Sequence, residues 1–261
     1  MPELPDLTLF AGNLSKAVVG KKIVRASYHA KKRLNVSPEE LSNSLISSRI
    51  TKVERVGKEV CFTTSNGDSM YVHLMLSGGF LLTTEKEVEH VDYPVLTISF
   101  ADHSALAVND PKGWATVTLN PKAEAKAPDA LTVTADYLKS KFQKKPKMLV
   151  KSFLLDQQMI GGIGNAYSDE ILWRARISPK SEVGKLPEEA VNSLVESIPL
   201  VLNEAIDYLR KHHPDILSGE FREFLKVHNP SAKKSPTGSP IIKEQILSKK
   251  SYYTEEQELY K

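Results

Sequence analysis

The chain opens Met1-Pro2-Glu3, and its second residue is the first candidate for chemistry. If Met1 is removed, Pro2 presents a free secondary amine. An α-amino group has a reference pKa of about 7.7–8.0, so a useful fraction is neutral and nucleophilic near pH 7. When such an amine captures a carbon of aldehyde oxidation level, the product is an iminium whose positive charge is permanent, because no second proton is left to lose. That cation is an electron sink and favours elimination at the neighbouring carbons. Glu3 stands beside it and could donate and accept protons, or could serve as an acidic partner of a helix N-terminus. A Met-Pro start alone is common, since proline makes up about 5% of residues in proteins.

A second constellation lies in Gly161-Gly162-Ile163-Gly164-Asn165. The glycines let the backbone turn tightly and approach a ligand without side-chain obstruction, and Asn165 opens a helix whose first amides favour an anion. A third feature is electrostatic. Between Tyr137 and Leu155 there are six lysines (Lys139, Lys141, Lys144, Lys145, Lys147 and Lys151) and no acid, a local field suited to a phosphate backbone. The net charge of +3 is too small to name a partner by itself.

The single cysteine, Cys61, excludes an internal disulfide and any finger built on four cysteines or on paired cysteines and histidines. His212, His213 and the other histidines outside the blocks below show no metal-ligand spacing. There is no run of 18 apolar residues and no secretory signal pattern, so the protein is expected to be soluble, intracellular and free of membrane.

The elements that must hold these groups follow from periodicity. Pro5 and Asp6 signal a helix start, with Leu7, Phe10, Leu14 and Ala17/Val18 on one face and Gly20 at the end. From Lys22 to about Asn120 the pattern turns to short β-branched and alternating runs. Val95 to Phe100 and Ala105 to Val108 read as one hairpin. Val60 to Thr64 and Ser69 to Leu74 read as another across Asn66-Gly67-Asp68. The first half is therefore mostly antiparallel sheet, in a sandwich or a barrel. Residues from about Pro121 to Lys147 lack apolar periodicity and read as a boundary. Pro187 to His212 read as a long helix with Pro199 inside it. The tail, with Pro230, Pro236, Gly238 and Pro240, suits a loop followed by a small hairpin.

Several blocks carry a resemblance. Met1-Pro2-Glu3-Leu4-Pro5-Asp6, Gly57-Lys58, His73-Leu74-Met75-Leu76-Ser77-Gly78, Asp110-Pro111-Lys112-Gly113-Trp114 and the 22 residues from Leu154 to Ala175 resemble, in order, motifs of the formamidopyrimidine-DNA glycosylase and endonuclease VIII family. The resemblance implies an α+β fold: residues 1–125 an antiparallel β-sandwich with an opening helix, 126–147 a basic linker, 148–226 a helix-two-turn-helix domain, and 227–261 a small β-hairpin finger. Thr237-Gly238-Ser239-Pro240-Ile241 and Ser251-Tyr252-Tyr253-Thr254 resemble the family's zinc finger, but its four cysteines would fall at Lys234, Thr237, Thr254 and Gln257. A zincless finger is therefore implied, with no metal and no cofactor.

The implied function is bifunctional. A DNA glycosylase and abasic-site lyase of base excision repair would flip an oxidised base out of duplex DNA, excise it and cleave the strand by β/δ-elimination. The implied partner is double-stranded DNA carrying oxidised bases or abasic sites, bound by a monomer in a cytoplasm of bacterial type. By the same resemblance Pro2 is the nucleophile and Glu3 the acid and base. Lys58, Asn165 and Lys249 lie on phosphates, Lys249 standing where the family has a finger arginine. His73 belongs to the block that holds Leu76, the apolar wedge that fills the gap left by the flipped base, and Lys112 and Trp114 supply the rest of that wedge. The chain departs from the pattern at Asp6, where glutamate is usual, at Met75 and Leu76, at Lys112 and at Gly113. Lysine cannot pair two acceptors in a fixed plane, so looser reading of the opposite base is expected. The alternative is a damaged-DNA or abasic-site binding protein with weak or lost excision. The loop from His228 to Ser235 is too divergent to choose between oxidised purines and pyrimidines.

Overall fold

The computed structural model describes residues 1–30, 32–122 and 127–261. It divides into two units, Met1–Glu124 with Leu209–Glu220, and Ala125–Tyr208 with Phe221–Lys261. Among the described residues no helix is long and apolar enough to cross a membrane.

The first unit begins with helix α1 (Leu4–Val18), which buries Leu7, Phe10, Leu14 and Val18 as its periodicity predicts. Among the described residues eight strands follow: β1 (Ile23–Tyr28), β2 (Ile50–Val56), β3 (Glu59–Thr64), β4 (Ser69–His73), β5 (Gly79–Thr84), β6 (Pro94–Phe100), β7 (Ser104–Asn109) and β8 (Thr116–Leu119). They form two antiparallel four-stranded sheets, ordered β1-β6-β7-β5 and β2-β3-β4-β8. The expected hairpins are β3-β4 and β6-β7. The apolar face of α1 shares one core with Val60, Phe62, Val72, Phe80, Ile98 and Leu106 from both sheets, so sandwich and opening helix are held by the same buried surface.

The alternating reading from Lys22 to Asn120 missed a short helix, α2 (Pro38–Leu45). Its signal is local: Ser37 Oγ accepts from the Glu40 amide at 3.0 Å, proline follows the cap, and Leu41 and Leu45 are buried.

The second unit holds α3 (Ala135–Lys144), α4 (Val150–Leu155), α5 (Asn165–Arg174), most of α6 (Glu188–His212), and a hairpin of β9 (Ile242–Ile246) and β10 (Lys249–Tyr253). The segment expected as a linker, 126–147, begins within the undescribed residues, but its described part carries α3. Thr134 caps that helix through the Tyr137 amide, and Leu138 and Phe142, one turn apart, are buried, with Phe142 set edge-on to Phe153 at 4.9 Å. Two apolar anchors are enough once a neighbouring core receives them, although too few to show as a period. The lysine field is corrected too. Lys151 is fully buried against Asp169 at 2.5 Å and faces no solvent.

The long helix forms with Pro199 inside it. Its last turn and the residues after it belong to the first unit, so the helical domain expected over 148–226 is interrupted. Asn13 Nδ2 donates to the carbonyls of Pro214 and Ile216 at 2.7 and 3.0 Å, and the Phe80 amide donates to Leu217 at 3.0 Å.

Candidate nucleic-acid site

Pro2 and Glu3 are buried immediately ahead of α1. Glu3 is the N-cap, and it forms a reciprocal box with Asp6. The Glu3 side chain accepts from the Asp6 amide, and Asp6 Oδ2 accepts from the Glu3 amide at 2.9 Å. The shorter acid at position 6 thus closes the helix cap and fixes the backbone of the residue beside Pro2. The Met1 ammonium lies 3.0 Å from Glu220 Oε2, a residue of the returning segment.

Gly57 and Lys58 form the tight turn between β2 and β3, with Gly57 at φ +60°. Arg55 ties this turn to α1, donating from Nε to Thr8 Oγ1 at 3.0 Å and from a terminal nitrogen to the Gly57 carbonyl at 3.2 Å. Sequence reasoning missed Arg55, whose partner Thr8 lies in another element. Lys58 is not a solvent-flung loop lysine, being only 9% exposed. His73 stands at the end of β4. Burial first and the Lys58 ammonium second hold its pKa below the ordinary value. Its Nδ1 accepts from the Met75 amide at 3.0 Å, which leaves Nε2 to carry the proton.

The wedge loops lie at the ends of the two sheets. Residues 74–78 connect β4 to β5, and 110–115 connect β7 to β8. Gly78 donates to the Leu74 carbonyl at 2.9 Å, and a Cβ there would sit 2.4 Å from that oxygen, so only glycine fits. Asp110, 3% exposed, organises the other loop. Its carboxylate accepts from the amides of Lys112, Trp114 and Ala115 at 3.1, 2.6 and 2.7 Å, and from Ser77 Oγ of the first loop. Burial pulls its pKa up, but the bonds from Ser77 and the three amides outweigh this and hold it below the usual value. Gly113, at φ +63°, closes the turn onto the Asp110 carbonyl.

One buried carboxylate therefore joins the loop bearing Leu76 to the loop bearing Lys112 and Trp114. Leu76 is 49% and Trp114 39% exposed, unusual for large apolar side chains, and Lys112 Nζ stands 5.2 Å from the indole centroid. Sequence reasoning missed Tyr93 here. It is 63% exposed, at φ +52°, and its carbonyl accepts from the Asp110 amide at 3.0 Å.

In the second unit Gln157 holds the glycine turn, donating to the Leu155 and Ile163 carbonyls and accepting from the Gly162 amide. Asn165 begins α5, and its Nδ2 donates to the Lys250 carbonyl at 2.8 Å. Lys249 is exposed at the start of β10, beside that carbonyl and past a Leu247-Ser248 turn with both residues at positive φ. Asn165 and Lys249 are thus brought together. Behind them Asp169 takes Lys151, His228 and the Tyr252 amide, while Glu170 accepts the amides of Lys226, Val227 and His228 at 2.7–2.9 Å. Burial foremost, with Asp169 adding to it, raises the Glu170 pKa despite those three amides. His228 is consequently a packing residue.

Residues 1–117 match the formamidopyrimidine-DNA glycosylase N-terminal domain, and residues 125–213 match that protein's H2TH domain. The formamidopyrimidine-DNA glycosylase of Mycoplasma genitalium is 30% identical over 97% of this chain and 94% of its own length. That of an Exiguobacterium species is 33% identical over 87% of this chain and 88% of its own. A solved complex of Lactococcus lactis Fpg with DNA containing an abasic site superposes with a TM-score of 0.86, at 25% identity, over 97% of this chain and 98% of that one. The two domains match over residues 1–117 and 125–213, and relative and fold each extend over 97% of the chain, which belongs to the formamidopyrimidine-DNA glycosylase and endonuclease VIII family.

Proposed function

We propose that the protein is a DNA glycosylase of base excision repair that also cleaves the strand at the abasic site, acting as a monomer on duplex DNA. The observation that carries this is the pair of loops joined through Asp110. They present Leu76, Lys112 and Trp114 to solvent from the same unit that holds Pro2 and Glu3. An enzyme that takes a base out of the stack must fill the gap and hold the orphaned partner, and an apolar wedge with a cation over an aromatic plane suits both tasks.

In this mechanism the Pro2 nitrogen, freed by loss of Met1, attacks C1′ of the damaged nucleotide and the C1′–N bond to the base breaks. The attacking nitrogen sheds its proton, a proton delivered through Glu3 to the ring oxygen breaks the bond from C1′ to that oxygen, and the nitrogen and C1′ form an iminium. Loss of a C2′ proton into that electron sink expels the 3′ phosphate, a second elimination expels the 5′ phosphate, and water releases the amine. Lys58 and the Nε2–H of His73 bind phosphate on the sandwich side. Asn165 and Lys249 do so from the helical unit, where the finger is zincless. The solved complex of the Lactococcus relative with abasic-site DNA supports the choice of partner.

A second reading rests on Met1. While it remains, its ammonium pairs with Glu220 and the Pro2 nitrogen is an amide without nucleophilicity, which would leave a protein that binds damage without cutting. Borohydride trapping on duplexes holding an abasic site or an oxidised base separates the two. Intact protein shown by mass to lack Met1 should give an adduct at Pro2 on both duplexes, Pro2→Gly should cut trapping by at least about 100-fold, and Glu3→Gln should abolish it on the oxidised base. Tight binding with no adduct would leave the binding protein.

A further inference from the structure

A hairpin of about twenty residues is too small to bury a core of its own and needs a staple. The family implies zinc at this place, but the residues present do not fit it. Lys234, Thr237, Thr254 and Gln257 offer an ammonium, two hydroxyls and an amide where zinc requires thiolate or imidazole, and the Gln257 amide is already committed, accepting from the Thr254 amide at 2.8 Å and donating to the Ile177 carbonyl at 2.8 Å.

What converges there is a carboxylate. Glu256 Oε2 accepts from Thr237 Oγ1 at 2.8 Å and Thr254 Oγ1 at 3.0 Å, while Ser235 Oγ shares its one proton between Thr237 Oγ1 at 2.8 Å and Glu256 Oε2 at 3.3 Å. Its other oxygen lies 3.1 Å from the Arg176 guanidinium, at the end of α5. Ser235 and Thr254 are 5% and 1% exposed. The turn over Ser235–Gly238 closes on itself through the Gly238 amide and the Ser235 carbonyl.

We propose that Glu256 is the node of the finger, holding in charge-inverted form the place of the metal: an anion surrounded by hydroxyl donors and one arginine, where relatives would have a cation surrounded by anions. One carboxylate thereby fastens the 235–238 turn, the 254–257 turn and the end of α5. Thr237 hydrogen bonding first, opposed by partial burial and aided by Thr254 and Arg176, holds the Glu256 pKa near about 2, so the node keeps its charge at every ordinary pH. Glu256 is a positioning residue, fixing the hairpin that carries Lys249. This last consequence rests on the DNA-binding reading above, whereas the node itself does not.

The test uses the full chain and its Glu256→Ala, Glu256→Gln and Thr237→Val variants, with hydrogen exchange of every segment and binding to a duplex holding an abasic-site analogue, each with and without EDTA. Glu256→Ala should speed exchange across 234–241 and 254–258 by at least about 10-fold while strands β2 to β4 keep their protection, and should weaken DNA binding about 10-fold. Glu256→Gln, which can still accept the hydroxyls but no longer attracts Arg176, should restore part of both, and Thr237→Val should reproduce a milder form. EDTA should change nothing. Finger protection that survives Glu256→Ala, or a loss that EDTA alone reproduces, would overturn the node. A loosened finger with unchanged DNA affinity would uphold the node and count against the finger's part in binding.

Discussion

Each unit contains a knot tied by one acid, and the two are tied differently. Asp110 gathers three backbone amides within five residues of itself and a single hydroxyl from a neighbouring loop. Glu256 gathers hydroxyls at positions 235, 237 and 254 and a guanidinium at 176. The first knot is local chain geometry and shows in the sequence as Asp-Pro-x-Gly before an aromatic residue. The second is an agreement among side chains brought close by the fold, and nothing around Glu256 in the sequence announces it. Local knots pre-organise loops, whereas remote knots fasten elements that would otherwise separate.

The sharpest way to break the comparison is Asp110→Ala. Four donors lose a buried acceptor, so a loss of about 3 kcal/mol or more in unfolding free energy is expected, along with trapping activity, because the two wedge loops come apart. If urea melts show less than about 1 kcal/mol, the loops are held by something else. Gly78→Ala strikes the same junction sterically. Its Cβ would press on the Leu74 carbonyl, at a cost of about 1–3 kcal/mol, and a neutral melting temperature would refute the contact.

The two units also differ in their response to pH. His73 has a depressed pKa in the folded chain, so the unfolded chain binds more protons just below the reference value of about 6.5. Stability should be complete above that value and fall as pH drops below it. Melting curves at pH 7.5 and 5 should separate for the parent and draw together in His73→Gln. Glu256, depressed to about 2, contributes in full above the carboxylate range and loses its contribution only as the pH falls toward 2, so finger exchange protection should not track that change. The smallest effect is expected from Lys112→Arg, which restores a planar bidentate donor. Discrimination among opposite bases should rise a few-fold with stability unchanged, as competition binding with four matched duplexes would report.

Much of this was legible beforehand. α1, the β3-β4, β6-β7 and β9-β10 hairpins and α6 follow from short-range periodicity and turn residues, and the site blocks lie in those elements or at their ends, apart from Leu154–Ala175, which spans α4, the glycine turn and α5. What escaped notice depends on partners far away in the chain. α3 needs a core to receive Leu138 and Phe142, Lys151 looks like part of a solvated run until Asp169 meets it, and Arg55 and Tyr93 acquire their places from Thr8 and Asp110. α2 is the exception, since Ser37-Pro38-Glu39-Glu40 was a readable helix start in a stretch dominated by strand pattern.

The bonds from Asn13 and Phe80 to the segment after α6 have a consequence for the order of assembly. The first unit is not finished when residue 124 has been synthesised, because its last piece, Leu209–Glu220, is encoded beyond most of the second unit. At roughly 5–20 residues per second, the nascent sandwich waits on the order of several seconds with Phe80 and Asn13 lacking their final partners. The ribosome must deliver the whole of Ala125–Tyr208 before the half that bears Pro2 can close.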